Sequence, residues 1–305
     1  MVNFSHKPVM LNEAINLLNI KPNGVYVDCT AGRGGHSRVI LEKLNNIGKL
    51  ICIDNDLEAC NYLKTMFTND KRVTIFHTNF SCIEELLESL QIKKIDGALL
   101  DLGVSSPMLD DMQRGFSYHQ EAILDMRMNL EQDLDAKYVL NNYSIDKLRK
   151  VFKEYGEIND CEKTIQLIIK SRPIETTKQL VDLIKKSIPK YQLNSQKHPA
   201  KKFFQAIRIE VNDEINSLKK VLEVLPKLLN NDGRIVVISF HSLEDRIVKT
   251  SFASLIMSKV PKEIPIANEY IPYELLNKKP ITPNEEELLA NQRSHSAKMR
   301  GVKKK

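Results

Sequence analysis

A chain of 305 residues, 42% hydrophobic and 28% charged, falls outside the disordered and fibrous ranges and can fill one large domain or two. It has no apolar run of the roughly 18 residues needed to span a bilayer, and Met1 to Pro8 lacks the apolar core of a signal peptide, so a cytoplasmic protein without membrane contact is expected. The formal charge of +6 is compatible with a nucleic-acid partner and equally with solvated lysine-rich faces.

Met10, Leu11, Ala14, Ile15, Leu17 and Leu18 predict an amphipathic helix that leads into a first strand, Val25–Val27, closed by Asp28. Gly32, Gly34 and Gly35 follow, then Val39, Ile40, Leu41 and Leu44 at helical spacing. Strand, glycine turn and helix make the opening half of a nucleotide-binding βα unit, in which glycine lets a ligand lie against the backbone. Leu50–Ile53 is a second strand ending at Asp54, about 20 residues past the glycines, where a carboxylate can accept the hydrogen bonds of ribose hydroxyls. A third strand, Val73–Phe76, precedes Asn79-Phe80-Ser81, and a fourth, Ile95–Leu100, again ends on an acid, Asp101. Such apolar runs alternating with helices predict a buried parallel sheet, with Gly34, Asp54, Phe80 and Asp101 at the carboxyl ends of its strands, where ligands bind.

Between Leu102 and Leu130 periodicity is lost, but Phe116, Leu124 and Met126 are too apolar for disorder, and an ordered loop over the site is expected. Residues 136–190 read as helices only: one is capped by Ser144 and stopped by Gly156, one ends at Arg172-Pro173, and one is capped by Thr177. A long helical run from Ala200 through Phe203, Ile207, Val211 and Leu225 should bend near Pro226. Asn231-Asp232-Gly233 reads as a turn before a fifth strand, Arg234–Phe240, with short edge strands near Tyr273–Leu276 and Ala297–Val302. The expectation is an α/β, Rossmann-like sheet domain over 1–130 and 200–305, with an all-helical substrate-recognition subdomain inserted over 131–199. The five scattered cysteines include no Cys-x-x-Cys pair; they read as core residues, and no metal site is expected.

Glycines alone do not choose a ligand. A dinucleotide site wants a third glycine where Ser37 stands, which argues against a nicotinamide enzyme. The run Asp28-x-x-x-Gly32-x-Gly34-Gly35 is instead similar to the first motif of S-adenosylmethionine-dependent methyltransferases. Asp101 through Pro107 occupies the place where amino-methylating enzymes position the acceptor nitrogen. An exocyclic base amine is a poor nucleophile, and Asp101, Ser105, Ser106 or a loop carbonyl could hold its N–H groups. The two serines could equally stabilise a turn, and Asp101 could serve as a cap.

The motifs also occur together and in order: His6-Lys7-Pro8-Val9-Met10-Leu11, Thr30 to Ser37, Leu100 to Pro107, Arg114-Gly115-Phe116-Ser117, Leu124 to Met128, Lys197-His198-Pro199-Ala200, and Ile238 to Arg246. In this the chain resembles the MraW (RsmH) family. The resemblance implies the class I methyltransferase fold, S-adenosylmethionine as cofactor, and methylation at N4 of a decoding-site cytidine in 16S rRNA, alone or within a small ribosomal subunit or its precursor. It implies cofactor contacts at Gly34, Gly35, His36, Asp54, Phe80 and Asp101, and at Met108, where the family often has glutamine. Catalytic roles fall on Asp101, Ser105 and Ser106. Near the C-terminus, Asn291 to Lys298 departs from the family's Asn-Pro-Arg-x-Arg-Ser.

Candidate substrate contacts each have a plainer alternative. His198 and His241, with Ser242, could line a substrate pocket or be packed and capping residues. Arg127 could meet RNA or pair with Asp125, and Lys201, Lys202 and Arg208 could meet phosphates or form a solvated helix face. A catalytically silent RNA-binding assembly factor is the main rival, although it would need a damaged cofactor site, and the glycines and both acids are intact. Monomer and homodimer are both open.

Overall fold

The computed structural model describes residues 8–189, 198–257 and 270–305, so His6, Lys7 and Lys197 of the quoted motifs lie outside the described residues. The chain divides into two compact units, Met1–Gly103 with Asn216–Lys305, and Val104–Ile215.

The first unit is built on a seven-stranded sheet of order β3-β2-β1-β4-β5-β7-β6, formed by β1 (Val25–Asp28), β2 (Lys49–Asp54), β3 (Val73–His77), β4 (Ile95–Asp101), β5 (Leu229–Ser239), β6 (Tyr273–Leu275) and β7 (Lys298–Lys304). β1 to β5 run parallel, with Val27 beside Ile51 and Ala98, while β7 is antiparallel to both β5 and β6. A mostly parallel sheet with one reversed strand in the next-to-last place is the Rossmann-like class I methyltransferase fold.

Both faces are covered, as apolar strands require. Tyr26, Leu50, Cys52, Leu99 and Val236 pack toward α1 (Leu11–Leu18) and α2 (Gly35–Lys43). The alternate residues Val27, Ile51, Ala98, Leu100 and Ile235 pack toward α4 (Ile83–Ser89) and the helices on either side of β5. α3 (Leu57–Met66) follows β2 and is capped by Asp56, whose carboxylate accepts the Glu58 N–H. All five cysteines are free, and four of them are buried.

Two local readings are corrected. Residues 231–233 are no turn before the fifth strand but a bulge within it: pairing jumps from Ile95–Leu229 to Gly97–Arg234. Asp232 takes φ +61°, and Asp96 anchors the bulge by accepting from Asn230 Nδ2 at 3.3 Å and from the Val25 N–H at 2.9 Å. The long helical run, expected to continue to a bend near Pro226, breaks earlier, at Asp213, φ +48°, into α10 (Ala200–Asn212) and α11 (Glu214–Leu228), with Pro226 in the last turn of α11. Aspartate tolerates this left-handed conformation better than most residues.

The second unit holds α5 (Ser106–Asp110), α6 (Ala136–Asn142), α7 (Ile145–Glu154), α8 (Glu162–Lys170), α9 (Thr177–Ser187) and α10. Its core extends beyond the 131–199 span expected from periodicity. Phe116, Leu124 and Met126 from the preceding loop and Phe203, Phe204 and Ile207 from α10 pack with Phe152, Ile165 and Ile184. Ser144 caps α7 as expected. The cap of α9 is Thr176, in a reciprocal box with Gln179, and not Thr177. Thr177 instead ties the loop down, its hydroxyl donating to the Gln120 carbonyl at 2.6 Å and accepting the Ala122 N–H at 3.0 Å.

Candidate active site

At the carboxyl edge of the first unit's sheet, two strand-end acids brace the glycine turn. Asp28 is buried, with one oxygen accepting the Ser37 hydroxyl at 2.6 Å and the other the Thr30 N–H at 3.3 Å. Asp54 accepts the Gly32 N–H at 2.7 Å and the Asp56 N–H at 2.8 Å. Burial pushes each carboxyl up to about 6, against the pull of these hydrogen bonds. Each oxygen has a second lone pair, so Asp54 can still accept from a ligand hydroxyl.

Two glycines in the turn are sterically required. Gly34 has φ +74°, and a Cβ there would lie 2.8 Å from Leu63 and 2.9 Å from Met66; a Cβ on Gly35 would lie 2.1 Å from Pro8. The close approach of Pro8 brings the Val9 carbonyl to 3.2 Å from His36 Nε2. A carbonyl only accepts, so Nε2 carries the proton and Nδ1 is bare. The ring is 5% exposed, and burial lowers its pKa to about 4, so it is neutral near pH 7.

Asp101 ends β4. Its N–H donates to Thr30 Oγ1 at 2.6 Å, and its Oδ2 lies 3.8 Å from His36 Nδ1, while Oδ1 is shut off from solvent and has no hydrogen-bond partner among the described residues. Burial, reinforced by the charges of Asp28, Glu244 and Glu287, holds its carboxyl well above the usual carboxylate range. Asp28, Asp54 and Asp101 have no arginine or lysine ion-pair partner among the described residues. Phe80 opens a short 3₁₀ turn after β3 and packs against the core below it. This edge therefore offers hydrogen-bond acceptors in a sheltered, negative setting, which suits a ligand with hydroxyls and a positive charge and can receive a proton.

His241 and Ser242 have structural duties here. His241 caps α12 (Ser242–Leu255), with Nδ1 accepting the Glu244 N–H at 3.4 Å, and Glu244 returns to the Phe240 and His241 N–H groups. Ser242 is the first residue of that helix.

The remaining candidates belong to the second unit. Ser105 is the N-cap position of α5 without making a side-chain cap bond, and Ser106 begins the helix. Met108 is buried in the helical core, which accounts for an apolar side chain at that place. Arg127 grips Asp125 through Nε and Nη2 at 2.9 and 2.7 Å, and its Nη1 donates to the Leu130 and Gln132 carbonyls. Its guanidinium thus holds the loop. Arg208 makes a two-pronged pair with Glu214, both bonds 2.8 Å. His198 stacks on Tyr118 with centroids 4.7 Å apart and accepts the Ala200 N–H, whereas Lys201 and Lys202 are exposed.

Sequence reasoning passed over Asp28, Thr30, the Val9 carbonyl, Glu244 and Glu287. Asp28 heads the glycine motif and had a visible signal. Glu287, on α13 (Glu285–Ala290), had none: it accepts the buried Met10 N–H at 2.7 Å from 277 residues away.

Comparison with known proteins bears on the whole chain. Residues 3–305 match the model of the MraW methylase family. A Ureaplasma parvum serovar 3 protein named ribosomal RNA small subunit methyltransferase H is 52% identical over 300 residues, 97% of each chain. Proteins of the same name from Clostridioides difficile and Caldicellulosiruptor bescii are 47% and 49% identical, each over 99% of both chains.

Proposed function

The chain belongs to the MraW methylase family, and from that premise we propose that it is a cytoplasmic, S-adenosylmethionine-dependent methyltransferase acting on the exocyclic N4 amine of a decoding-site cytidine in 16S rRNA, within the small ribosomal subunit or its precursor. One observation carries the reading: a buried, unpartnered Asp101 oxygen among like charges, next to a glycine turn braced by two more acids.

The donor set fits the cofactor. When bound, S-adenosylmethionine supplies a methyl group on a cationic sulfur. Asp54 would accept from the ribose hydroxyls, Gly34 and Gly35 would let the ligand lie against the backbone, and Phe80 would pack beside it. The negative edge formed by Asp28, Asp101, Glu244 and Glu287 favours a cation electrostatically. Asp101, at the end of β4, would accept an N–H of the amine and draw its lone pair out of conjugation. A raised pKa makes Asp101 a better proton acceptor than an ordinary carboxylate. Lys201 and Lys202 would contact phosphates, and the target base would be swung out of its helix.

The test supplies methyl-labelled S-adenosylmethionine with naked 16S rRNA or with small subunits from cells lacking this protein, and maps the labelled nucleotide. A single labelled cytidine, modified on its amine, is expected. Cofactor binding without methylation of either substrate would discard the enzyme and favour a silent RNA-binding assembly factor.

A further inference from the structure

His36 is placed oddly for a cofactor contact. Its Nε2–H is held by the Val9 carbonyl at 3.2 Å, its ring is buried, and its bare Nδ1 points at Asp101 Oδ2, 3.8 Å away. Pro8, packed on Gly35, and the Glu287 carboxylate on the Met10 N–H hold the Val9 segment in place on either side. Resting on the methyltransfer reading above, we infer that His36 is a positioning residue for Asp101: it provides the acceptor that lets the Asp101 carboxyl receive and keep the proton released by the substrate amine.

Methyl transfer forms an N–C bond and breaks a C–S bond whose electron pair stays on sulfur, and it leaves one amine proton to be taken up. Asp101 takes that proton and shares it with Nδ1 as the 3.8 Å gap closes by about 1 Å to hydrogen-bond distance. No other oxidant, reductant or leaving group is involved. Opposite tautomer placement would defeat the arrangement, because an Nδ1–H would donate to the carboxylate and make it a weaker base. The other charged groups facing Asp101 are Asp28 on β1, Glu244 on α12 and Glu287 on α13, all acids, a field that favours proton uptake.

The experiment has two arms. Imidazole ¹⁵N spectra of the ligand-free protein should show His36 with Nε2 protonated and Nδ1 bare near pH 7, with a titration displaced in Asp101→Asn. An Nδ1–H tautomer, or the same titration in both proteins, overturns the inference. In the second arm His36→Asn and His36→Gln should lower kcat about 100-fold, move the acid limb of its pH profile, and leave binding of labelled S-adenosylmethionine within about threefold. Unchanged kcat and pH profile, or cofactor binding lost in step with kcat, overturns it as well. If the wild-type protein methylates no RNA, the methyltransfer reading falls, while the spectra still decide whether the Asp101–His36 pair exists. Should the His36 variants not fold, the comparison of wild type with Asp101→Asn remains decisive.

Discussion

The strand-end acids of the sheet unit and the arginines of the helical unit are held in opposite ways, and the sheet unit's own Arg72–Asp70 and Arg300–Asp245 pairs, away from the glycine turn, follow the second pattern. In the sheet unit Asp28, Asp54 and Asp101 sit at strand ends with backbone or hydroxyl donors at most, and the field around Asp101 comes from more acids. In the helical unit Arg127, Arg149 and Arg208 each grip a carboxylate with two nitrogens, and Arg172 donates to the Leu140 and Tyr143 carbonyls. Uncompensated buried charge destabilises a fold, whereas paired and hydrogen-bonded charge specifies it. The contrast separates the candidate site from the scaffold, and it can be tested by neutralising one charge on each side.

The largest effect is expected for Asp101→Asn, which should lower kcat by about 10²–10⁴-fold while the thermal midpoint stays level or rises, since a lone buried charge is removed. Single-turnover rates and thermal melts measure both, and a fall in stability parallel to activity would make Asp101 structural. Arg127→Ala should behave inversely, losing about 2 kcal/mol of stability in denaturant because Asp125 and two carbonyls lose their donors, with cofactor affinity unchanged.

The third expectation concerns pH. Asp28 and Asp54 titrate near 6 in the folded protein and near 3.8 when unfolded, so between these values the folded state binds more protons. Their contribution to the stability of the ligand-free protein therefore grows as pH falls through 6 and levels off below about 4. Affinity for the cationic cofactor should move the other way, dropping up to about tenfold per pH unit for each group that must be ionised. Calorimetric titration across roughly pH 5 to 8 checks this, and a flat profile would break the contrast. The smallest effect belongs to the exposed lysines: Lys201→Ala or Lys202→Ala should weaken RNA binding about threefold and reduce its salt slope by about one.

The readable parts of the sheet unit were those written in short-range pattern. Short continuous apolar runs located β1 to β4, and glycines followed by a helical repeat located the turn, whereas of the two strands expected at an edge only β6 is one, β7 lying between β5 and β6. The same logic failed where a partner far away in the chain set the outcome. Asp213, which the apolar repeat did not mark, ends α10, next to Asn212, whose side chain bonds the Met126 and Arg208 carbonyls. Residues 230–233 enter β5 as a bulge because Asp96 anchors Asn230 and Val25. The core of the helical unit reaches out to Phe116 and Phe204, which no local period could assign.

For the site, residue type and spacing were enough to mark Gly34, Asp54 and Asp101 as candidates, because a turn with φ > 0 and acids at strand ends are local requirements. Tertiary structure alone decided what each group's donors and acceptors are doing. It turned Arg127 and Arg208 toward internal carboxylates, made His241 a helix cap, and fixed the His36 tautomer through Val9. It also surrounded Asp101 with Asp28, Glu244 and Glu287, drawn from three separate parts of the chain. Charge state and hydrogen-bond capacity depend on burial and on neighbours within a few ångströms, and neither quantity has a period that a sequence displays.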